Sequence, residues 1–215
     1  MTNPFCTELS HFVERAARKE GYSVLLCDTD QDFETERAYL QLMRTYRAEG
    51  VILAPAGRFS DYRQPEIENY DLPMVFIDRL IPGLNFDGVA LDNHKAALQA
   101  TSYMLDLGHR QLATIAGPDH LSPARDRIAG FRDALQQRGL PFSDRLVRNG
   151  NFEESQAFLA CQELLAEPDR PTALFVANNH MLIGVMRAIT QQGLSCPRDI
   201  SVTSVDDFPW ANAFT

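Results

Sequence analysis

The sequence lacks the loop motifs that most often support catalysis on esters or nucleotides. It contains no G-x-S-x-G, G-x-G-x-x-G or G-x-x-x-x-G-K-[ST] segment, so a nucleophile elbow, a dinucleotide fingerprint and a Walker-type phosphate loop all lack their required glycines. No H-E-x-x-H pair occurs, and the five histidines are scattered along the chain. We therefore predict that the protein is not an enzyme and uses neither a cofactor nor a catalytic metal.

Long apolar runs, a basic leader and paired cysteines are also missing. No stretch approaches the ~20 apolar residues of a membrane span, and the start MTNPF has none of the basic residues of a secretory signal. The cysteines show no C-x-x-C spacing and lie in otherwise apolar patterns, which favours reduced packing thiols over zinc ligands or disulfides; they are Cys6, Cys27, Cys161 and Cys196. We expect a cytoplasmic protein without a membrane partner.

Positive charge is scarce. The 20 Lys and Arg residues are outnumbered by 29 Asp and Glu, which gives a formal net charge of −9. Gripping a nucleic-acid backbone needs a dense basic surface, so this chain is not expected to bind DNA by itself. With 215 residues and 45% hydrophobic content, it can bury one sizeable core or two small lobes.

Helical and strand patterns alternate along the chain. Predicted helices span about 4–20, 33–48, 94–107, 124–138, 154–166 and 179–192, and predicted strands span about 23–27, 51–53, 74–77, 88–91, 111–116, 146–148, 172–176 and 201–205. Gly21, Gly108 and Gly193 each suit the left-handed cap that ends a helix. The alternation predicts an α/β fold with mostly parallel sheets and helices on both faces.

Apolar spacing marks one face on each of the first two helices. In the first helix the apolar face comprises Phe5, Leu9, Phe12, Val13 and Ala16, and in the second the residues predicted to point inward are Tyr39, Leu42, Met43 and Tyr46.

The stretch from Pro171 to Asp207 shows the fold most clearly. An apolar strand leads to Asn178, an amphipathic helix follows, and a β-branched strand ends at Asp206. Parallel strands connected in this way place their carboxyl ends at the same edge of the sheet, where open α/β folds bind ligands. Asn178 and Asp206 are therefore predicted to lie together at a polar binding site.

These residues resemble a known family. The string RPTALFVANNHMLIGVM from Arg170 to Met186, followed by Pro197–Val202 (PRDISV) and Asp206-Asp207, is similar to the effector-binding core of the lactose-repressor/galactose-repressor (LacI/GalR) family of bacterial transcriptional regulators. The resemblance runs through nearly the whole chain. It implies a type I periplasmic-binding-protein-like fold of two hinged lobes with ligand between them, residues 1–92 forming the first lobe and 93–215 the second.

The same resemblance implies that parts of the family pattern are absent. Family members begin with a basic helix-turn-helix headpiece and a first strand, and end with a tail that returns to the first lobe, whereas this sequence reaches Asn3-Pro4-Phe5 at once and stops at Phe214-Thr215. We therefore expect an incomplete first lobe that is unstable by itself, because an unpaired parallel sheet leaves backbone groups and apolar faces uncovered.

Several polar side chains follow predicted strands and suit a hydroxyl-rich sugar or a purine. Asp78, Asn178 and Asp206 each come directly after a strand, and Arg127 lies on the helix after Gly117-Pro118. By the family resemblance, the positions of Arg127, Asn178, Asp206, Asp78 and Phe152 line the effector pocket, the aromatic ring stacks on the ligand, and Phe5 matches an aromatic near the pocket mouth.

Each of these residues has a structural alternative. Asn178 can simply cap the following helix, Asp206-Asp207 can form a turn, Arg127 can be a surface arginine like Arg125, and Phe152 can be plain core. Cys6 stands where many relatives carry a second aromatic residue, and Ala54 stands where some sugar binders carry a polar residue. These two differences leave the ligand class open.

Three functions remain in competition. The first is the effector-binding and dimerisation core of a family regulator, which binds a small sugar, sugar phosphate or purine, forms a homodimer, and contacts operator DNA only through a headpiece absent from this sequence. The second is a periplasmic-type solute-binding protein of a sugar transporter, and the third is a sugar or nucleoside enzyme on the same fold class.

Overall fold

The fold is taken from a computed structural model that describes residues 3–63 and 70–208. The chain divides into two compact units, Met1–Ala90 and Leu91–Thr215. Both units combine helices with parallel sheets, as predicted for an α/β protein. None of the helices within the described ranges is both long and apolar enough to cross a membrane.

The first unit contains a three-stranded parallel sheet. Its elements in chain order are α1 (Pro4–Lys19), α2 (Phe33–Thr45), β1 (Val51–Leu53), α3 (Phe59–Tyr62), β2 (Met74–Ile77) and β3 (Asp87–Val89). The strand order is β1-β2-β3, and Ile52 pairs with Val75 while Ile77 pairs with Val89. The predicted strands at 51–53 and 74–77 are confirmed residue for residue.

One face of this sheet carries the core of the first unit. The buried cluster consists of Leu40, Leu53, Tyr62, Met74, Phe76 and Ile81. Tyr62 is fully buried and its ring makes edge contacts with Phe33 and Phe76, an arrangement worth about 0.5–1.5 kcal/mol per pair beyond area burial. The other face exposes Ile52, Val75 and Val89, although parallel sheets are usually covered on both faces.

The predicted inward face of α2 is half-buried at Tyr39, Leu42 and Met43 and wrong at Tyr46, and the apolar face of α1 is largely uncovered. Helix α1 begins as expected, with Asn3 accepting a hydrogen bond from the Phe5 amide at 2.9 Å, but it has no buried residue and Phe12 is exposed. In α2 the buried residues are Glu36 and Leu40, whereas Tyr46 is exposed. Amphipathic spacing identifies an apolar stripe, but burial requires a neighbouring element to pack on it.

The predicted strand at 23–27 is also wrong. Residues 22–29 have no regular secondary structure, and the side chains of Tyr22, Val24, Leu25 and Leu26 are exposed. The apolar run has strand propensity, yet a strand forms only when another strand supplies ladder hydrogen bonds. Within the described residues, no strand pairs with this segment.

The second unit contains a four-stranded, fully parallel sheet. Its elements in chain order are α4 (Asn93–Asp106), β4 (Leu112–Ala116), α5 (Ser122–Gln137), a 3-10 turn (Asp144–Leu146), β5 (Val147–Asn149), α6 (Glu154–Leu165), β6 (Ala173–Val176), α7 (Asn179–Gln191) and β7 (Ser201–Ser204). The strand order is β5-β4-β6-β7. All of these helices and strands match predicted ones to within a few residues.

Helices pack on both faces of this sheet. One face presents Ile115 and Val176 to α6 and α7, and the other presents Leu112 and Phe175 to α4 and α5. Residues of β4 and β6 are buried without exception, because every side chain of a central parallel strand meets one helical layer or the other. Each fully buried large side chain contributes about 1.5–3 kcal/mol, so this sheet is a firm support for residues at its edge.

Helix ends in the second unit follow the sequence signals. Gly108 and Gly193, which follow α4 and α7, have φ angles of 96° and 70°, as predicted for left-handed caps. Beside the first of them, His109 bonds the Thr172 and Ser201 hydroxyls, each at 2.9 Å. These contacts lie where β6 and β7 begin, so they tie together the amino-terminal edge of the sheet.

Candidate functional site

The carboxyl edge of the second sheet collects polar side chains. Because β5, β4, β6 and β7 are parallel, the segments that follow them all leave at this edge. The four predicted site residues of this unit lie on or beside those segments: Phe152 after β5, Arg127 on the helix after β4, Asn178 after β6, and Asp206 after β7.

Arg127 is the central cation of this edge. The residue is 5% exposed, so the alternative of a solvated surface arginine is wrong for Arg127, whereas Arg125 is exposed as predicted. Its Nε donates to Asn93 Oδ1 at 2.8 Å, and one terminal nitrogen donates to the Ala177 carbonyl. A buried guanidinium held from two sides has a fixed orientation, which suits directional binding of a polar ligand.

Asp206 supplies negative charge next to Arg127. Its backbone is left-handed, with φ of 69°. Burial of the carboxyl raises its pKa, and the charge of Arg127 opposes that rise. Asp206 is nevertheless exposed to solvent, so its carboxylate is an acceptor that a ligand hydroxyl can reach.

Asn178 and Asn179 connect the end of β6 to its neighbours. Asn178 Oδ1 accepts from the Met181 amide at 2.9 Å, so the predicted capping role of Asn178 is confirmed. Asn179 Nδ2 donates to the Asp207 carbonyl at 3.3 Å, which links the ends of β6 and β7. A role for Asn178 in ligand binding stays a prediction alongside its cap.

Phe152 places an aromatic ring at the same edge. The residue has φ of 57°, which is unusual for a bulky side chain. Its carbonyl oxygen lies at hydrogen-bonding distance, 3.0 Å, from His180 Nδ1. Its ring lies so close to Gly117 that a Cβ added there would be 2.3 Å from two ring atoms. The ring also packs against the core of the unit, so the structural alternative is supported, and a stacking role for Phe152 stays a prediction.

Left-handed backbone recurs at the predicted site residues. Asp78, Phe152 and Asp206 have φ angles of 64°, 57° and 69°. Such conformations cost of order 1–3 kcal/mol and cluster at functional sites. Asp30, Gln31, Arg47 and Asn151 share this conformation outside the predicted site, so a binding role for these strand ends stays a prediction.

The two remaining predicted residues belong to the first unit. Asp78 follows β2, and its Oδ2 is 3.7 Å from Arg79 Nε. Phe5 is half-buried at the start of α1. Burial chiefly raises the pKa of the neighbouring Cys6 thiol, and the charge of Asp78 raises it further, so the beginning of α1 lies near the end of β2.

Sequence reasoning missed a buried polar cluster after β1. Glu36 Oε2 accepts from the Ala56 amide at 2.8 Å, and Tyr62 donates its hydroxyl proton to Glu36. Arg79 donates to the Pro55 carbonyl at 3.2 Å. Burial raises the pKa of Glu36, and no local motif marks it, because a glutamate in an amphipathic helix usually faces solvent.

Asn93, which fixes Arg127, was missed as well. It follows the helix cap Asp92 and is 4% exposed. The sequence signal for it was its place at the start of a helix that follows a strand. Among the described residues, no group of acidic, histidine and cysteine side chains could hold a metal ion.

This arrangement defines a class of protein: an α/β protein with parallel sheets that gathers a buried arginine, an acidic side chain and an aromatic ring at the carboxyl edge of one sheet. The chain belongs to the family described as periplasmic binding proteins and sugar binding domain of the LacI family, whose profile matches residues 1–214. The resemblance inferred from the sequence and its fold are thereby confirmed.

Two relatives illustrate the family relationship. The chain is 35% identical over 218 residues to the ribose operon repressor of Escherichia coli strain K12, covering 100% of this chain and 65% of that protein. It is 29% identical over 214 residues to the HTH-type transcriptional repressor PurR of Vibrio vulnificus, covering 100% of this chain and 64% of that protein. This chain therefore spans slightly less than two thirds of these relatives.

A solved structure agrees. A sugar-binding transcriptional regulator of the LacI family from Escherichia coli, crystallised with phosphate, matches with a TM-score of 0.80 at 25% identity, covering 96% of this chain and 74% of that chain.

Proposed function

We propose that this chain is the effector-binding core of a LacI-family transcriptional regulator, and that its effector binds at the carboxyl edge of the second sheet. One observation carries the proposal: Arg127 is buried at that edge, fixed by Asn93 and the Ala177 carbonyl, and its charge reaches Asp206. Burying the Arg127 cation is costly for folding alone, and the Asp206 carboxylate near it is exposed to solvent. A polar ligand that forms hydrogen bonds with both Arg127 and Asp206 would offset this cost.

The residue types favour a sugar or sugar phosphate as effector. Arginine donates to ligand oxygens in a planar fork, a carboxylate accepts from hydroxyl groups, and the half-buried ring of Phe152 offers a face for stacking. The similarity to a ribose operon repressor and to a sugar-binding regulator crystallised with phosphate supports the same chemistry. Similarity to PurR keeps purines in the test panel. The contributions of Phe5, Asp78 and Asn178 stay predictions.

Regulation would proceed by population shift. An effector that binds one conformation more tightly by a few kcal/mol changes the balance between conformations, and in a homodimer this would alter how attached DNA-binding headpieces engage an operator. The relatives are transcriptional repressors, so we propose a cytoplasmic, non-catalytic regulator that has no membrane partner. The same relatives disfavour the transport solute-binding alternative.

A thermal melt of the purified chain tests this function. The panel comprises D-ribose and other pentoses, hexoses, sugar phosphates, inorganic phosphate and purines. A compound at a hundred times its Kd should stabilise the fold by ~2.7 kcal/mol. Arg127→Lys should abolish the shift, because lysine cannot reproduce the planar fork, whereas Arg125→Lys on the same helix should retain it.

The two arginines form a matched pair, since they differ by burial and not by residue type. A wild-type chain that none of the panel stabilises would contradict the proposed ligand class. Equal shifts in both arginine variants would contradict the proposed site.

A further inference from the structure

We propose that Asn93 is a positioning residue that holds the Arg127 guanidinium in its ligand-binding orientation. This inference rests on the proposed function and assigns a role to a residue outside the predicted ligand contacts.

Both ends of the Asn93 amide are used. Oδ1 accepts from Arg127 Nε at 2.8 Å, and Nδ2 donates to the Leu91 carbonyl at 3.1 Å. The donor contact determines which way the amide faces, so the oxygen points at the arginine. Aspartate could keep the acceptor, whereas alanine would lose both bonds.

Helix capping does not account for Asn93. The cap of α4 is Asp92, whose Oδ1 accepts from the Lys95 amide at 3.0 Å. Asn93 comes after that cap, is 4% exposed, and directs its side chain to Arg127 on α5. Its amide therefore serves the arginine rather than the start of its own helix.

The cost of losing this contact follows from the flexibility of arginine. An arginine side chain loses rotamer entropy when a ligand orders it, and a contact that fixes it before the ligand arrives lowers the cost of binding. Asn93 fixes the inner nitrogen and the Ala177 carbonyl fixes an outer one. With Asn93 removed, the hydrogen bond at Nε is lost, while the Ala177 carbonyl still accepts from an outer nitrogen.

The first experiment compares ligand affinity in three variants by calorimetry, with D-ribose and inorganic phosphate as probes. Asn93→Ala should weaken binding about tenfold, the usual effect of losing a hydrogen bond to a charged group. Asn93→Asp should remain within about threefold of wild type, because its carboxylate still accepts from Nε. His109→Ala is the matched control, since it removes two side-chain bonds at the opposite edge of the same sheet and should leave affinity unchanged.

Melting temperatures of the three variants separate positioning from general loosening. The inference is overturned if Asn93→Ala binds within about twofold of wild type, or if an equally destabilised His109→Ala loses as much affinity.

A second experiment needs no ligand and separates this inference from the proposed function. Burial raises the pKa of Asp206 and the charge of Arg127 opposes that rise, so displacement of the guanidinium in Asn93→Ala should raise that pKa further in a carboxyl NMR titration, with Asp206→Asn to assign the signal. An unchanged titration would overturn the positioning role. If the wild type binds neither probe but the titration moves, the proposed ligand class fails and the positioning of Arg127 by Asn93 stands.

Discussion

Replacing Gly117 by alanine tests how the Phe152 ring is held against the end of β4. An added Cβ would lie 2.3 Å from ring atoms Cε1 and Cζ, whereas carbon atoms in contact prefer 3.5–4.0 Å. The ring must therefore withdraw by roughly 1 Å or more. The φ angle of Gly117 is not left-handed, so backbone strain does not add to the effect.

Two opposing terms set the size of the change. Gly→Ala at an unstrained position stabilises a protein by about 0.4–1 kcal/mol through the unfolded state, and overpacking costs about 1–3 kcal/mol. We expect the overlap to dominate and Gly117→Ala to lower the free energy of unfolding by about 1–2 kcal/mol, measured by urea denaturation. Because the displaced ring belongs to the proposed site, affinity for a stabilising sugar should fall as well.

The double variant with Phe152→Leu provides the control. Leucine is shorter than the ring, so alanine at position 117 should cost little or nothing in that background, and the two effects should be strongly non-additive. An equal cost of Gly117→Ala with phenylalanine and with leucine at position 152 would refute the argument, as would a single variant as stable as wild type.

Three further predictions concern other buried groups. Tyr62→Phe removes the hydroxyl that donates to Glu36 and should lower the free energy of unfolding by about 2 kcal/mol in urea; a change below about 0.5 kcal/mol would contradict the contact. Burial raises the pKa of Asp206, so its stabilising contribution is fully present below the unfolded pKa and is lost as the pH rises through the folded pKa. Because asparagine does not ionise, the melting temperature of Asp206→Asn should rise relative to that of wild type as the pH increases across this range. Parallel dependences of melting temperature on pH for the two proteins would contradict the prediction. Burial raises the pKa of the Cys161 thiol to about 12. N-ethylmaleimide should therefore label the exposed Cys196 first and Cys161 only on unfolding, as read out by mass spectrometry.

The second unit could be predicted well because its local and tertiary signals agree. Central strands such as Ala173–Val176 are buried on both faces and read as short apolar runs, and Asn178 marks a helix start that the structure confirms. Where helices cover both faces of a sheet, the residues that the sequence pattern marks as apolar are the ones that the structure buries.

The first unit shows where such reasoning stops. The run Val24–Leu26 has strand composition, but strand formation depends on a partner that composition does not reveal. Glu36 was missed for a related reason, since its burial depends on Tyr62 and on an amide twenty residues away. Pairings of distant residues are set by the whole fold, so a single sequence shows the polar residue without its partner.

The same limit applies to the candidate site. Arg127 could be proposed from the family resemblance, but the contact that orients it, from Asn93 on another helix, required the packed structure.

The left-handed residues at the strand ends restrict how ligand specificity could be redesigned. Asp78 and Asp206 adopt a backbone conformation that aspartate, asparagine and glycine tolerate and β-branched residues do not. In a library that randomises these positions, many variants would be destabilised by about 1–2 kcal/mol through backbone strain. Confining them to Asp, Asn and Gly, and varying the side chain at Phe152 among large unbranched residues, would explore new ligands while keeping the backbone that presents them.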